Sequence, residues 1–217
     1  MKHLIVILFV LLIKTGFGQG AVVIQDKNFA IEFKPDSALI SMLNKDVEYR
    51  ALSKFEKETI YWISLMRKDP PRFCQDYVKP FLSQFPELRG SEAKALERDL
   101  NNAVSLSVLF PGENLKRSAQ TQAEYLAKTN RFSHDGPKGK SFKQRMDEVG
   151  ISECAGENLF EGKSDPLMTL ILLLIDHGVQ GGGHRKALMN PSFNKIGVGM
   201  VEEKPGFILM VQDFSCK

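Results

Sequence analysis

Residues 4–13 are apolar without interruption, whereas most of the chain after them sets apolar residues three or four positions apart or in short runs. Lys2 and His3 precede the opening run, and Lys14-Thr15-Gly16-Phe17-Gly18 closes it. A basic start, a short apolar centre and small residues at Gly16 and Gly18 predict a signal peptide over residues 1–18, cut before Gln19. Ten residues of helix reach only about 15 Å, half of a bilayer core of about 30 Å, so no transmembrane anchor is expected. The mature chain is therefore expected to be secreted, extracellular or periplasmic.

Residues 19–50 read as a poorly ordered N-terminal extension. Short strands over 21–24 and 29–33 are interrupted by Pro35-Asp36-Ser37. Residues 51–217 read as one domain. Phe55, Trp62, Ile63 and Met66 recur at helical spacing and predict a helix over 53–67, stopped by Asp69-Pro70-Pro71. A shorter helix is expected over 73–79, ended by Pro80, and residues 84–97 read as a loop leading into another helix. Asn114 reads as the N-cap of a helix running to Asn130, with Leu115, Ala119, Ala123 and Leu126 on one face. A further short helix fits 142–149.

Asp165-Pro166 is a strong helix start, and residues 167–175 are apolar on nearly every side, as in a buried core helix. Two strands, 196–202 and 207–214, flank a turn at Glu203-Lys204-Pro205-Gly206. Both are apolar on both faces for much of their length, so helices should cover the sheet on both sides. The expected architecture is α/β: an α-β-α sandwich around a small, mainly antiparallel sheet.

Charge and cysteine content narrow the picture. The full chain carries a net charge of +3, and loss of Lys2 and Lys14 brings it close to neutral. That balance excludes an electrostatic case for nucleic acid or an anionic membrane. Three cysteines, Cys74, Cys154 and Cys216, are too few for a disulfide scaffold. If one bridge forms, Cys154 and Cys216 are the expected pair, since one leads into a possible strand and the other ends the last one.

Candidate chemistry is confined to a few positions. His134 lies in Ser133-His134-Asp135-Gly136-Pro137 and His184 follows Gly181-Gly182-Gly183. Glu157, in Gly156-Glu157-Asn158, stands between them at the start of a possible strand. Two imidazoles and a carboxylate suit Zn²⁺, although spacing alone favours separate surface or structural roles. His177 ends the apolar helix, where a cation complements the helix dipole. Arg145 reads as a solvated helix residue, with a salt bridge near the site as the alternative. There is no His-Glu-x-x-His helix and no Gly-x-Ser-x-Gly elbow.

Six pieces in order carry a resemblance: Phe132-Ser133-His134-Asp135-Gly136, Phe142 with Arg145, Gly156-Glu157-Asn158, Gly183-His184-Arg185, Asn190-Pro191 to Ile196-Gly197-Val198-Gly199, and Val211-Gln212-Asp213-Phe214. Together they resemble the bacterial branch of the CAP superfamily, the cysteine-rich secretory, antigen 5 and pathogenesis-related proteins with an SCP-like extracellular domain. The resemblance implies an α-β-α sandwich with a cleft lined by two histidines and two acids. His134, Glu157 and His184 match three of these positions. Asp176 is the only acid on the helix that supplies the fourth. It also implies a secreted, monomeric interaction module that binds a divalent metal, weakly held Zn²⁺ with His134, His184 and Glu157 as ligands, or a small extracellular ligand or lipid. The alternative is a metal-assisted extracellular hydrolase, peptidase-like, in which Glu157 activates a water.

Overall fold

The computed structural model describes residues 29–177 and 182–216. The signal segment, the strand expected over 21–24, and Gly178 and Gly181 lie outside the described residues. Helix α1 (Ser37–Leu43) and helix α2 (Val47–Ala51) occupy the stretch expected to be poorly ordered. Each begins with an aspartate cap: Asp36 Oδ1 accepts from Leu39 N and Asp46 Oδ1 from Tyr49 N, both at 2.9 Å. Pro35-Asp36-Ser37 therefore starts a helix. Residues 29–33 form no strand, and their aromatic side chains are docked instead. The Phe29 ring lies 5.1 Å from Phe81, and Phe33 sits 5.2 Å from Trp62.

Helix α3 (Lys54–Lys68) follows the expected periodicity and opens with a reciprocal capping box between Ser53 and Glu56. Helices α4 (Pro70–Phe73) and α5 (Lys79–Gln84) are joined by a widened π-type turn over Cys74–Val78. That turn explains why Pro80 does not end the helix as expected. The wider loop of backbone absorbs the missing N–H and the ring clash that a proline brings. Helix α6 is Ser91–Asn102.

The sheet has the order β1-β3-β4-β2, with β1 (Phe110–Pro111), β2 (Ala155–Lys163), β3 (Lys195–Lys204) and β4 (Phe207–Ser215). Only β1 pairs in parallel; β3–β4 and β4–β2 are antiparallel. Gly206, at φ +76°, closes the β3–β4 hairpin in a conformation that glycine adopts freely. Ile208, Met210 and Phe214 face a large core shared with α3 and with α9 (Pro166–Ile175). Leu209 and Val211 face a smaller one against α7 (Glu113–Thr129). The result is the α-β-α sandwich expected, with helices on both faces. Two further α-helices among the described residues are α8 (Phe142–Glu148) and α10 (Gly183–Leu188). Helix α7 is capped by Gly112, and Asn114 instead accepts from Arg117.

Two long-range features set the frame for the site. Gly197 and Gly199 form a slot for α7. A Cβ at either would stand within 2.1–2.2 Å of the α7 backbone near Leu115 and Gln120, closer than atoms can approach. Cys154 and Cys216 are disulfide-linked, with Cα atoms 5.7 Å apart, which ties the start of β2 to the end of β4. Cys74 is a buried free thiol.

Candidate functional site

Strand β2 forms the sheet edge opposite β1, and its side chains alternate between the two helical layers. Glu157 points to the α7 side and pairs in register with Asp213 on β4, which in turn pairs with Gly197 on β3. Because α7 presses onto Gly197, its Ser118 reaches the neighbourhood of Asp213. Arg145 enters from α8, only 7% exposed, and bonds Glu157 Oε2 through Nη2. Its Cδ would lie 2.6 Å from a Cβ at position 136, so Gly136 provides the space through which the arginine passes. Of the two readings of Arg145, the solvated helix face gives way to the alternative, a salt bridge at the site, and that ion pair is buried.

The His134 turn is held from behind. Buried Gln122 on α7 donates to the carbonyls of Ser133 and Asp135 at 3.1 and 3.2 Å, and Arg145 donates to the carbonyl of His134 at 3.2 Å. The imidazole Nδ1 then lies 2.7 Å from Glu157 Oε1, with the histidine side chain 38% exposed and the glutamate 1%. Both carboxylate oxygens of Glu157 are engaged, one by an imidazole and one by a guanidinium.

Two carboxyl groups and one guanidinium share this pocket. Burial, followed by the charge of Glu157, pushes Asp213 well above the ordinary aspartate value, against the opposing pull of Ser118 and Arg145. Arg145 balances one negative charge, and burial beside Glu157 favours the neutral form of Asp213. Asp213 is fully buried and neither of its oxygens makes a well-formed hydrogen bond.

His184 and Asp176 form a second pair on the other side of β2. Asp176 ends α9 in a left-handed conformation, φ 61°. Its Oδ1 lies 2.9 Å from His184 Nδ1, and its Oδ2 accepts from Arg185 N at 3.2 Å. Asn158, the residue after Glu157, donates to the His184 carbonyl at 3.5 Å and to Gln212 at 3.2 Å. His184 is 8% exposed, and its Nε2 is buried with no partner among the described residues. The structure therefore brings His134 to Glu157 and His184 to Asp176, and the two pairs flank the β2 edge. Among the described residues, no group of three or more His, Cys, Asp or Glu side chains is arranged to hold a metal. His177 is exposed beyond the end of α9.

Residues 102–214, just over half of the chain, match the family model described as CAP, the cysteine-rich secretory protein family. This chain belongs to that family. It is 35% identical over 91 residues to the uncharacterized protein YkwD of Bacillus subtilis (strain 168). That match takes in 42% of this chain and spans about a third (34%) of the relative's length. Solved structures that the chain is similar to include an extracellular protein containing an SCP domain from Bacillus anthracis. It is 23% identical at a TM-score of 0.43, covering 68% of this chain and 40% of that one. An outer surface protein of Borrelia burgdorferi is 20% identical at a TM-score of 0.44, covering 62% and 90%. Venom allergen-like protein 4 of Schistosoma mansoni is 15% identical at a TM-score of 0.47, covering 76% and 89%. Among the described residues no helix is long and apolar enough to cross a membrane.

Asp213, Gln122 and Ser118 complete the site of this CAP domain without having been singled out as its members from sequence, and Arg145 joins it through the salt bridge weighed there as the alternative. Of the first three, Asp213 alone had left a signal: Gln212-Asp213 puts two polar residues inside an otherwise apolar strand, and such residues are buried only with a partner or a proton.

Proposed function

We propose that this chain is a secreted CAP-domain binding module whose two histidine–acid pairs hold a divalent metal ion or orient a small extracellular ligand. One observation carries the reading. Each imidazole has its Nδ1 set against a carboxylate, His134 against Glu157 and His184 against Asp176. A carboxylate on one ring nitrogen fixes the tautomer and orientation, and it makes the other nitrogen a better ligand. The buried Nε2 of His184, without a partner among the described residues, is a polar atom that a ligand would satisfy. The basic-apolar start of the chain supports secretion.

The donor set fits a metal only through its imidazoles. Glu157 is occupied by His134 and Arg145, so it serves as an orienting acid and is poorly placed to ligate directly or to activate a water. A bound Zn²⁺ would supply Lewis acidity and a cationic anchor. His134 and His184 would hold it, while Glu157 and Asp176 fix the orientation of the two rings. Two protein ligands imply weak binding, and protons compete with metal for imidazole nitrogen, so affinity falls as pH is lowered. Zinc titration calorimetry on the purified chain tests this. His134→Ala with His184→Ala is expected to abolish binding with the fold retained. Undiminished zinc affinity in that double variant would overturn the reading. Mass spectrometry of the secreted protein is expected to find Gln19 at its N-terminus.

A further inference from the structure

We propose that the Cys154–Cys216 disulfide is a redox latch, which a dithiol reductant opens in the folded protein to release the Glu157 end of β2. The latch acts on the His134–Glu157 pair of the proposed binding module and rests on that reading for its consequence. Cys154 stands three residues before Glu157 and Cys216 three after Asp213, so the bridge closes the end of the ladder in which those two acids are register partners. Between the bridge and the acids lie the pairs Ala155↔Ser215 and Gly156↔Phe214. Cys154 is exposed and Cys216 partly exposed, within reach of a reductant, whereas the Cys74 thiol is buried. Cys154 also holds φ +51°, a left-handed conformation unfavourable for a residue with a Cβ, and opening the bridge leaves it free to relax.

The opening step is thiol–disulfide exchange. A thiolate of the reductant attacks Sγ of Cys154, the S–S bond breaks, and Cys216 leaves as a thiolate that takes up a proton. The second thiolate of the reductant then attacks the mixed disulfide and releases Cys154, which is protonated in turn. The reductant ends as a disulfide, and the chain has gained two electrons and two protons. Strand β4 is central, held on its other side by β3 through Lys195↔Ser215 and Ile196↔Phe214. Strand β2 is the sheet edge, so β2 is the strand that moves, and Glu157 moves with it. Glu157 and Asp213 are buried side by side, and each carboxyl disfavours the charged form of the other. Loosening this end relieves that conflict at the expense of the contact between Glu157 Oε1 and His134 Nδ1, now 2.7 Å. The far end of β2, paired through Gly162↔Ile208 and Lys163↔Phe207, keeps the strand in the sheet.

Dithiothreitol added to the folded, ¹⁵N-labelled chain without denaturant tests the latch, with free thiols located by alkylation and mass spectrometry. Cys154 and Cys216 are expected to be alkylated while Cys74 stays protected. Cys216 N donates to Cys154 O at 3.3 Å, and alternation along an antiparallel ladder makes Gly156 the next hydrogen-bonded residue of β2. On reduction its amide exchange should rise about tenfold or more, with little change at Gly162, and the His134 ring resonances should shift. Reoxidation should restore both, and Cys154→Ser with Cys216→Ser should reproduce the reduced spectrum. Reduction of the wild-type chain decides the matter even where that variant fails to fold. Zinc is left out, so a chain that binds no zinc can still show the latch. Alkylation of Cys74 at the same rate as Cys154 would show that the chain must unfold first and would overturn the latch. So would an opened bridge with Gly156 exchange and His134 resonances unchanged, or equal rises at Gly156 and Gly162.

Discussion

Arg67 and Arg145 are both buried arginines on helices, one on each side of the sheet, and they are satisfied in opposite ways. Arg67, on α3, meets no acid. Its guanidinium donates to the carbonyls of Ser107, Leu188, Asn190 and Phe193 at 2.8–2.9 Å, pinning these distant segments to the helix. Burial pulls its pKa down to about 10, so it stays charged across the physiological range. Arg145, on α8, neutralises Glu157 and sits beside a second acid, Asp213. Carbonyl dipoles make a fixed scaffold with nothing to titrate. Carboxylates make a charge balance that can shift with protons or ligands. The first kind of burial supports the fold; the second supports a site.

The largest effect is expected for Arg67→Met. Four carbonyls lose a charged donor at once, and at roughly 1–3 kcal/mol for each unmet buried group the loss should reach about 4 kcal/mol or more. Urea unfolding measures it, and no acidic substitution elsewhere should rescue it. Arg145→Met should cost less, about 3 kcal/mol, because Glu157 keeps His134 and can take up a proton. Adding Glu157→Gln should recover much of that loss. A double-mutant cycle with no coupling between the two would erase the contrast between the arginines.

Asp213→Asn sharpens the comparison through pH. The folded-state pKa of Asp213 is raised above the unfolded value of 3.8, so the native state holds the extra proton. Its contribution is fully present below the unfolded value and is lost as pH rises through the raised one. Wild type should therefore lose up to about 1.4 kcal/mol per pH unit from this group as pH climbs above about 4. The asparagine variant, which imitates the protonated acid, should be more stable at neutral pH and should lack that slope. Chemical denaturation from pH 4 to pH 8 decides it. The smallest effect is expected for His134→Gln. That ring is over one-third exposed, so stability should change by no more than about 0.5 kcal/mol while zinc binding falls.

Much of the scaffold could be read from local signals. The α3 helix with Ser53 at its head, the α9 start at Asp165-Pro166 and the β3–β4 hairpin all stand where periodicity and turn chemistry put them. Asp165 Oδ1 accepts from Met168 N at 2.8 Å, a bond between residues three apart. The α1 and α2 helices were misread because Pro35-Asp36-Ser37 serves equally well as a strand breaker or a helix start. The choice is made by packing: Leu39 and Leu43 are fully buried against the rest of the core.

The site divides along the same line. The residue types and the order of His134, Glu157 and His184 were visible along the chain, and so was the resemblance that joined them. Which acid orients which histidine was not, since Glu157 and His134 are 23 residues apart and meet only after α7 and α8 dock. Nor could the chain alone show that Gly136, Gly197 and Gly199 are clearances for an arginine and a helix backbone. Caps and periodicities act over three or four residues, where chain geometry fixes the distance. Burial of Arg145 and retention of a proton on Asp213 depend on desolvation and on charges brought together by separate elements, and only the folded arrangement sets those distances.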